Sequence, residues 1–498
     1  MNDIINFFET SQIEYLNKKD KSYLKNTSQF FTPYDTACKM ISTIDFNNYK
    51  NSKSLRILEP SSGCGILIAS IVMHIVINYN HIKEIYVDAY EYDEDVCKIL
   101  SNNLVNLSEY IYNVYNVTLK FHIINKNFIL ANANAWNEEE NSNIYDIIIS
   151  NPPYKKINKS SEESVIMNDI IYGQPNIYTL FIAMSLKLLK KNGTYIVLSP
   201  RNYLSGEYSK KLRTYIFSKF SLTHIHLFEK RSMFKSVNQE VIISTFVNNK
   251  FHDNVNISFN GSSNFSVPFD DIVLDKNSYS LIVPKTSKDI ALSKCINSLQ
   301  YTLNDLGLKI SVGPIVQFRN IEDIRKDVYS EQFAPLLVTA DIQPNNTLQY
   351  FSRENKRKTH NKSILSTNKY LVNNSNYVII RKVTAKDDID LIVASVLSKD
   401  YFNHDFIGLD NNLLYIHKID RTDIDLDICY GIYAFINSLQ FKNFYFLING
   451  THTINVTDFN NIKFPELNLL KQLGSYIRLN KNFSEKYCSD LFNKYLIK

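Results

Sequence analysis

The sequence has no long apolar run. In the 498-residue chain no stretch of about 18 apolar residues occurs, so no transmembrane helix is predicted. The opening segment, MNDIINFFETSQIEYLNKKDK, has no apolar core of the kind that a secretory signal needs. We therefore expect a soluble, cytoplasmic protein with no membrane partner.

Paired cysteine spacings are also absent. The six cysteines are scattered along the chain, at Cys38, Cys64, Cys97, Cys295, Cys429 and Cys488. This distribution argues against a disulfide framework and against a zinc site, and it is typical of a protein from a reducing compartment. No metal is expected.

A strong excess of charge is missing as well. The net charge is +5, with 44% hydrophobic and 21% charged residues, the ordinary balance of a globular protein. A mildly basic chain is compatible with an acidic partner such as nucleic acid but does not identify one. Because a single core rarely grows beyond about 250–300 residues, the length predicts two or more domains.

Strands and helices alternate up to about residue 250, a pattern typical of an α/β domain with a mostly parallel sheet. The predicted strands are 54–59, 84–91, 119–124, 145–150, 193–199, 222–228 and 240–247. The clearest helix, 175–193, is predicted to end at Asn192-Gly193. After a polar, turn-rich stretch the later elements become shorter and mixed. We therefore predict two domains, 1–250 and 251–498.

The stretch EPSSGCG places glycines between a strand and an apolar helix. Glu59 ends the strand, and Gly63 and Gly65 would let the backbone approach a ligand at the helix N-terminus. Glu91 ends the next strand, where a carboxylate can bind both hydroxyls of a ribose. Either feature alone is equally compatible with an ordinary loop or a solvated charge. Since no third glycine completes a dinucleotide pattern, the predicted ligand is a nucleoside without a diphosphate, and S-adenosylmethionine fits that description.

Two further segments are candidates for the same pocket. Asn127 can hydrogen-bond an adenine edge and Phe128 can cover its face, although core packing explains Phe128 equally well. Upstream, SQFFTPYDTACKMIS is typical of a loop followed by an amphipathic helix. This segment would close the pocket over the methionine end of the cofactor, and a simple capped helix is the alternative.

The most specific signal is Asn151-Pro152-Pro153-Tyr154, which follows the apolar strand YDIIIS. The prolines remove backbone donors and end the strand ladder. An exocyclic amine on an aromatic base is a poor nucleophile, because its lone pair is delocalised into the ring. Two acceptors, the Asn151 side-chain oxygen and the rigidly held Pro152 carbonyl, would localise that lone pair, and Tyr154 would stack on the base. A simple strand-ending turn would not require this order of residues.

Together these motifs resemble the gamma class of N6-adenine DNA methyltransferases, with NPPY after an apolar strand, EPSSGCG, EYDED, NF and an upstream FFTP. The resemblance implies a Rossmann-like class I methyltransferase domain that acts on an adenine flipped out of duplex DNA. The cofactor-binding residues would be Thr32, Glu59, Pro60, Gly63, Gly65, Glu91, Asn127 and Phe128. Asn151 to Tyr154 would hold the base, with Phe234 as a second stacking aromatic and Phe228 as the alternative.

One residue departs from the family pattern. Where this chain has Asn127, the family usually has an aspartate. An amide oxygen can accept a hydrogen bond from the adenine amino group, but without the assistance of a charge. We therefore expect weaker cofactor binding, unless the alignment is locally shifted.

The second half resembles the recognition region of modification methylases from PstI/BsuBI-type restriction systems. The segments that carry this resemblance are 302–319, 377–388, 407–417 and 449–466. It implies a mixed α+β domain that binds double-stranded DNA, and it leaves room for a separate cognate restriction endonuclease as a partner. The candidate DNA-contacting residues are Arg319, Arg353, Lys356, Arg357, Lys358, Arg381, Lys382 and His452. Each basic residue can equally be a solvated charge, and His452 can equally be a core residue.

Three other functions are compatible with part of the pattern. A protein-glutamine or RNA methyltransferase would use the same Asn-Pro-Pro-Tyr pocket, but those families generally lack both the FFTP element and so long a C-terminal region. A fused restriction enzyme would need a nuclease domain, and the chain contains no convincing Asp…Glu-x-Lys metal cluster. A non-catalytic DNA-binding subunit would not need an intact Asn-Pro-Pro-Tyr.

Overall fold

A computed structural model of the chain describes residues 2–19, 31–138, 144–228, 240–251, 253–259, 264–352, 361–384, 392–449 and 453–497. The chain forms two compact units, Met1–Lys285 and Thr286–Lys498. This division lies beyond the predicted boundary near residue 250, because two strands after that residue continue the sheet of the first unit.

The first unit alternates strands and helices over most of its length. Its strands are β1 (Ser54–Glu59), β2 (Glu84–Tyr90), β3 (Thr118–Ile124), β4 (Tyr145–Ser150), β5 (Leu189–Pro200), β6 (Ser221–Leu227), β7 (Val241–Val247), β8 (Asn254–Phe259), β9 (Phe265–Pro268), β10 (Val273–Asp275) and β11 (Ser280–Leu281). Its helices are α1 (Asn2–Lys18), α2 (Tyr34–Ile41), α3 (Ile66–Asn78), α4 (Glu94–Tyr115), α5 (Phe128–Ala131), α6 (Ala133–Asn137), α7 (Glu162–Ile166), α8 (Ile177–Lys187), α9 (Lys210–Lys219) and α10 (Phe269–Ile272). The seven predicted strands are all present, with shifts at their ends.

One sheet organises the first unit, with the strand order β3-β2-β1-β4-β5-β7-β6-β8-β9. The neighbours from β3 to β5 pair in parallel, whereas β7 runs antiparallel to both β5 and β6. The mostly parallel sheet that the sequence predicts is therefore confirmed. In a parallel sheet the carboxyl ends of the strands meet at one edge, and this edge brings together the motifs that follow β1, β2, β3 and β4.

The apolar sequences of the central elements explain where they lie. Ile57 of β1 and Ile147, Ile148 and Ile149 of β4 have no exposed surface, as expected for strands that are covered on both faces. The helix α3, ILIASIVMHIVIN, is apolar on nearly every side and packs into the core of the first unit. Only the loop 60–65 separates β1 from the N-terminus of α3, which places this glycine-containing loop at the sheet edge.

The helix predicted over 175–193 is wrong at its C-terminal end. Helix α8 ends at Lys187, and β5 begins at Leu189, which pairs with β4. Asn192 does adopt a positive φ of 62°, but it does so within β5, where its N–H donates to the Asn248 carbonyl oxygen at 2.9 Å. Pairing between distant strands therefore overrides the local capping signal.

The second unit is a mixed α+β domain, as predicted. Its strands are β12 (Leu308–Val312), β13 (Ile324–Arg325), β14 (Phe333–Leu337), β15 (Ile342–Gln343), β16 (Thr347–Leu348), β17 (Ser363–Leu365), β18 (Val372–Asn373), β19 (Tyr377–Arg381), β20 (Ala394–Leu397), β21 (Phe406–Leu409) and β22 (Leu413–Lys418). Its helices are α11 (Ser287–Asn297), α12 (Leu426–Asn437), α13 (Leu439–Ile448), α14 (Val456–Asn461), α15 (Leu467–Asn480) and α16 (Glu485–Tyr495).

The strands of the second unit form short sheets. An antiparallel sheet has the order β12-β22-β19-β20, and a mixed sheet has the order β13-β17-β14-β21-β18. The helices near the C-terminus pack on one another, with α12 against α15 and α16. Across the described helices of both units, none has the length and the apolar character that a bilayer crossing requires.

Candidate active site

A cavity of about 710 Å³ lies at the carboxyl ends of β4, β1, β2 and β3, the edge where open α/β sheets bind their ligands. Its wall includes most of the residues that the sequence predicts for a cofactor and a substrate, namely Thr32, Glu59, Pro60, Gly63, Glu91, Asn127, Phe128, Asn151, Pro152 and Pro153. Of the described residues predicted for this site, Gly65, Tyr154 and the alternative stacking residue Phe228 are not part of the wall. Gly65 instead caps α3 with a φ of 89° and packs against Leu100 and Phe8.

Three backbone N–H groups fix the carboxylate of Glu91. Its Oε2 accepts from Gly63 at 2.9 Å, and its Oε1 accepts from Tyr92 at 2.8 Å and from Asp93 at 2.9 Å. Gly63 presents its N–H from a left-handed φ of 52°, and a Cβ atom there would lie 2.9 Å from the Phe31 ring. These three bonds occupy three of the carboxylate's roughly four lone-pair sites, so Oε2 can still accept a hydrogen bond from a ribose hydroxyl.

Glu59 is buried near Glu91, with 1% of its surface exposed. Its Oε2 has no hydrogen-bond partner among the described residues. Burial raises the pKa of Glu59 well above its ordinary value, and the negative charge of Glu91 raises it further. Burial also raises the pKa of Glu91, although its N–H donors oppose that effect. The ionised form of Glu59 therefore has few interactions that offset its burial, and a positive charge in the cavity would stabilise it.

Asn127 is the N-cap of α5. Its Oδ1 accepts from the backbone N–H groups of Ile129 at 3.0 Å and Leu130 at 3.3 Å, and its Nδ2 donates to Glu163 Oε1 at 2.8 Å. The oxygen predicted to bind an adenine edge is therefore engaged by a helix end instead. Glu163 also lines the cavity, and no local motif marks it in the sequence, because the contact forms only when the segment after β4 folds back onto the end of β3.

Phe128 is both a core residue and part of the cavity wall. It is 2% exposed, and its ring centroid lies 5.1 Å from that of Tyr90 and 5.2 Å from that of Phe181. Most of the Phe128 side chain therefore packs in the core, as the alternative interpretation predicts. Its remaining surface faces the cavity beside Asn127.

Asn151 is held from three sides. Its Nδ2 donates to Thr32 Oγ1 at 3.1 Å, its backbone carbonyl accepts from Ser61 Oγ at 3.0 Å, and its Oδ1 accepts from the Tyr154 hydroxyl at 2.8 Å. Thr32 is buried, so the predicted upstream element contacts the Asn-Pro-Pro-Tyr turn directly. These contacts fix the direction in which the Asn151 amide points.

Tyr154 is partly buried against the core of the first unit. Its hydroxyl also lies 2.9 Å from the Leu198 carbonyl oxygen, and its ring meets Tyr178 edge-on with 6.0 Å between centroids. Burial raises the pKa of the Tyr154 hydroxyl well above its ordinary value, so the group is a neutral donor. Stacking of Tyr154 on a target base stays a prediction.

Several predicted contact residues lie outside the described part of the chain, namely Phe234, Arg353, Lys356, Arg357, Lys358 and His452. Phe228, the alternative to Phe234, is described. It is 6% exposed and packs edge-on against His226, with 4.9 Å between ring centroids. Phe228 is thus a core residue.

Three of the predicted DNA-contacting residues are described in the second unit. Arg319 is exposed and lies over the exposed ring of Phe318, with 5.5 Å from its guanidinium carbon to the ring centroid. Arg381 is partly buried at the end of β19, where its Nε donates to the Ile342 carbonyl oxygen at 2.7 Å. Lys382 follows it and is partly exposed. Arg381 therefore supports the fold of the second unit in addition to any ligand contact.

The groups that meet at the cavity are mainly carboxylates, amides and hydroxyls. Within the described ranges, no three His, Cys, Asp or Glu side chains are placed to hold a metal ion together. The six cysteines are free thiols.

The fold is the Rossmann-like fold of class I methyltransferases, as the sequence predicts. The chain superposes on the type IIL restriction–modification enzyme MmeI, solved in complex with DNA, with a TM-score of 0.51 and 12% identity, covering 83% of this chain and 65% of that chain. It superposes on DrdV, solved as a DrdV–DNA complex, with a TM-score of 0.51 and 11% identity, covering 95% and 59%. At such identities the likeness shows the fold alone.

Sequence comparison gives nearer relatives. The family described as Eco57I restriction-modification methylase matches residues 66–234. Over 474 residues the chain is 28% identical to the type II methyltransferase M.BsuBI of Bacillus subtilis, covering 91% of each chain. It is also 28% identical over 463 residues to the type II methyltransferase M.PstI of Providencia stuartii, covering 88% of each chain. The predicted resemblance to PstI/BsuBI-type modification methylases is therefore confirmed over nearly the whole chain.

The buried Glu59 predicts a pH-dependent stability. Because its pKa is higher in the folded protein than its ordinary value of 4.5, the folded state binds the proton more tightly, and stability falls as the pH rises from about 4.5 through the raised pKa. Glu59→Gln removes this titration. It should increase the free energy of unfolding of the ligand-free protein by about 1–3 kcal/mol at pH 8, with a smaller gain near pH 4.

Denaturant unfolding at the two pH values measures this effect. Glu162→Gln is the matched control, since it makes the same change at an exposed glutamate. A weaker dependence should persist in Glu59→Gln because the pKa of Glu91 is also raised. If Glu59→Gln and the wild type lose stability equally between pH 4 and pH 8, Glu59 does not have a raised pKa in the folded protein.

Proposed function

We propose that the protein is a site-specific DNA methyltransferase that transfers a methyl group from S-adenosylmethionine to N6 of adenine, as the modification enzyme of a restriction–modification system. The observation that carries the proposal is that Asn151-Pro152-Pro153 lines the same cavity as the carboxylates Glu59 and Glu91. The similarity to type II methyltransferases supports methyl transfer and the restriction–modification setting. The adenine target rests on the chemistry of Asn151.

The residues of the cavity fit S-adenosylmethionine, a positively charged nucleoside without phosphate groups. Carboxylates outnumber lysines in the wall, and the unpartnered oxygen of the buried Glu59 is better matched to a cation than to a phosphate. The cofactor supplies a methyl group activated by its sulfonium charge. Glu91 would accept a hydrogen bond from a ribose hydroxyl at Oε2, and Glu59 would offset the positive charge.

Asn151 would act on the substrate amine. Its Oδ1 and the Pro152 carbonyl would accept the two amine protons, which favours a pyramidal nitrogen with a localised lone pair. Thr32 and Ser61 hold Asn151 in place before any substrate binds, so little reorganisation accompanies the reaction. This is electrostatic preorganisation, and it requires no charged base at the site.

The target adenine has to leave the duplex to reach such a pocket. Flipping costs a few kcal/mol, and stacking on aromatic side chains, at about 1–3 kcal/mol per base, can offset this cost. Tyr154 and Phe234 are the residues that we assign to this stacking. The rigid turn places Tyr154 three residues from Asn151, so one short segment would hold both the amine and the ring of the base.

Methyl transfer from labelled S-adenosylmethionine to duplex DNA, followed by nucleoside analysis, tests the proposal. We expect the label in N6-methyladenine, at a single recognition sequence. Label in cytosine or in RNA, or on a glutamine side chain of a protein, would instead favour another member of the wider group of enzymes that use this pocket.

Separate substitutions should distinguish the substrate site from the cofactor site. Asn151→Ala should lower the single-turnover rate by about 100- to 1000-fold, as for other preorganised polar groups, with cofactor affinity nearly unchanged. Glu91→Ala should weaken cofactor binding by about 1–3 kcal/mol, because charge-assisted hydrogen bonds are lost. Calorimetry and rapid-quench kinetics measure the two effects. The reverse pattern would show that the two sites have been exchanged.

We assign DNA sequence recognition to the second unit. The similarity to M.BsuBI and M.PstI extends through it, and its resemblance to a recognition region is part of the sequence prediction. Phosphate contacts would hold the duplex, and contacts to base edges would set the sequence. Arg319, exposed on its aromatic neighbour Phe318, is a candidate among the described residues.

The division between the units predicts the behaviour of a fragment. A chain ending at Lys285 contains every residue of the cavity wall, so it should bind S-adenosylmethionine but lose specific DNA binding. Calorimetry and mobility-shift assays measure the two properties, with the full-length protein as the control. A fragment that still methylated one specific site would contradict the division.

The basic run after β16 predicts a salt effect in the full-length protein. Replacing Arg353, Lys356, Arg357 and Lys358 by glutamine should weaken binding to all DNA sequences alike and flatten its salt dependence, if these residues neutralise phosphates. A salt slope equal to that of the wild type would exclude the run from the DNA interface.

A further inference from the structure

Asn127 and Glu163 form a hydrogen-bonded pair in the cavity wall. Glu163 Oε1 accepts from Asn127 Nδ2 at 2.8 Å, and both residues line the cavity beside Phe128. Glu163 lies in the first turn of α7, whose N-terminus is capped by Ser161. The pair joins the end of β3 to the segment that follows the Asn-Pro-Pro-Tyr turn, across 36 positions of sequence.

The two members of the pair differ in the acceptor capacity that they offer to a ligand. The Asn127 oxygen already accepts from two backbone N–H groups, those of Ile129 and Leu130. An ionised carboxylate has two oxygens with about four lone-pair sites and no donor. Among the described residues, Glu163 Oε2 has no hydrogen-bond partner, so Glu163 and not Asn127 is the group at this wall that can accept a further hydrogen bond.

The strand order determines which part of the cofactor would reach this pair. Along the sheet edge, Asn151 follows β4, Gly63 follows β1, Glu91 follows β2 and Asn127 follows β3. The transferable methyl group has to lie near Asn151, and the ribose is assigned to Glu91. The nucleobase beyond the ribose therefore lies toward the end of β3, where Phe128 and the Asn127–Glu163 pair form the wall.

We propose that Glu163 accepts a hydrogen bond from the amino group of the cofactor's adenine, and that Asn127 is the positioning residue that holds the Glu163 carboxylate. This inference rests on the proposed function, since it requires S-adenosylmethionine in the cavity. A carboxylate can only accept, so it selects a purine that carries a donor at position 6. The negative charge that an asparagine at position 127 cannot supply comes from a residue distant in sequence.

The test compares two ligands that differ only in the 6-amino group. These are S-adenosylhomocysteine and its purine-riboside analogue, which has hydrogen at that position, and calorimetry gives the Kd of each for the full-length protein. In the wild type, S-adenosylhomocysteine should bind roughly 10- to 100-fold more tightly, because the analogue lacks the donor for a charge-assisted hydrogen bond. In Glu163→Ala the ratio of the two Kd values should fall to about one, since a deleted acceptor cannot distinguish the ligands.

Two further variants control the experiment. Glu162→Ala removes the adjacent, exposed carboxylate of the same helical turn and should keep the wild-type ratio. Glu163→Gln keeps an oxygen that can accept from Asn127, but it presents an NH2 donor in place of Oε2, so its ratio should fall to about one or below. This variant preserves the contact with Asn127, and thereby separates the effect on the ligand from a disturbed α7.

The outcomes distinguish this inference from the proposed function. If the wild-type protein binds S-adenosylhomocysteine and both Glu163→Ala and Glu163→Gln retain the wild-type ratio, the role of Glu163 is overturned and the proposed function still stands. A wild-type protein that binds neither ligand would overturn both. A loss of affinity that is equal for the two ligands would show a merely structural role for Glu163 and would also overturn the inference.

Discussion

The hydrogen bond from the Gly63 N–H to Glu91 joins the two loops on which the cavity depends. It ties the turn after β1 to the end of β2, and the left-handed backbone of Gly63 beneath the Phe31 ring makes it possible. The same contact keeps the Glu91 carboxylate at the sheet edge, where its charge adds to the larger effect of burial in raising the pKa of Glu59. The shape of the cavity and the electrostatics of its two carboxyl groups therefore have a common origin.

The sheet could be predicted from the sequence because its strands are short apolar runs with polar residues at their ends. The three consecutive isoleucines of β4 are buried on both faces of the sheet, so a central strand is the structure that this segment favours. The end of α8 could not be predicted, since Asn192-Gly193 carries a valid local signal that the pairing of Leu189 with β4 overrides. The first unit extends past residue 250 for a similar reason, because β8 joins the sheet through pairing with β6.

The candidate site was predictable to the extent that its chemistry is local. The Asn-Pro-Pro-Tyr turn is one short segment whose stiffness follows from its prolines, so its position after β4 could be inferred directly. The environment of Asn127 could not be inferred in this way, because the N–H groups at the start of α5 donate to its oxygen in place of a ligand. Glu163 gave no signal at all, since its partner is remote in sequence and the segment around it is an ordinary polar loop with a capped helical turn.

The position of the Tyr154 hydroxyl bears on how Asn151 becomes available to a substrate. This hydroxyl has one proton and two acceptors within reach, Asn151 Oδ1 at 2.8 Å and the Leu198 carbonyl oxygen at 2.9 Å. In the proposed mechanism an amine proton approaches Oδ1, and the hydroxyl proton can then turn to Leu198 without a buried donor being left unpaired. The Tyr154 ring therefore need not move for Asn151 to exchange one donor for another. Burial keeps this hydroxyl protonated, so the exchange involves neutral groups throughout and does not depend on pH near neutrality.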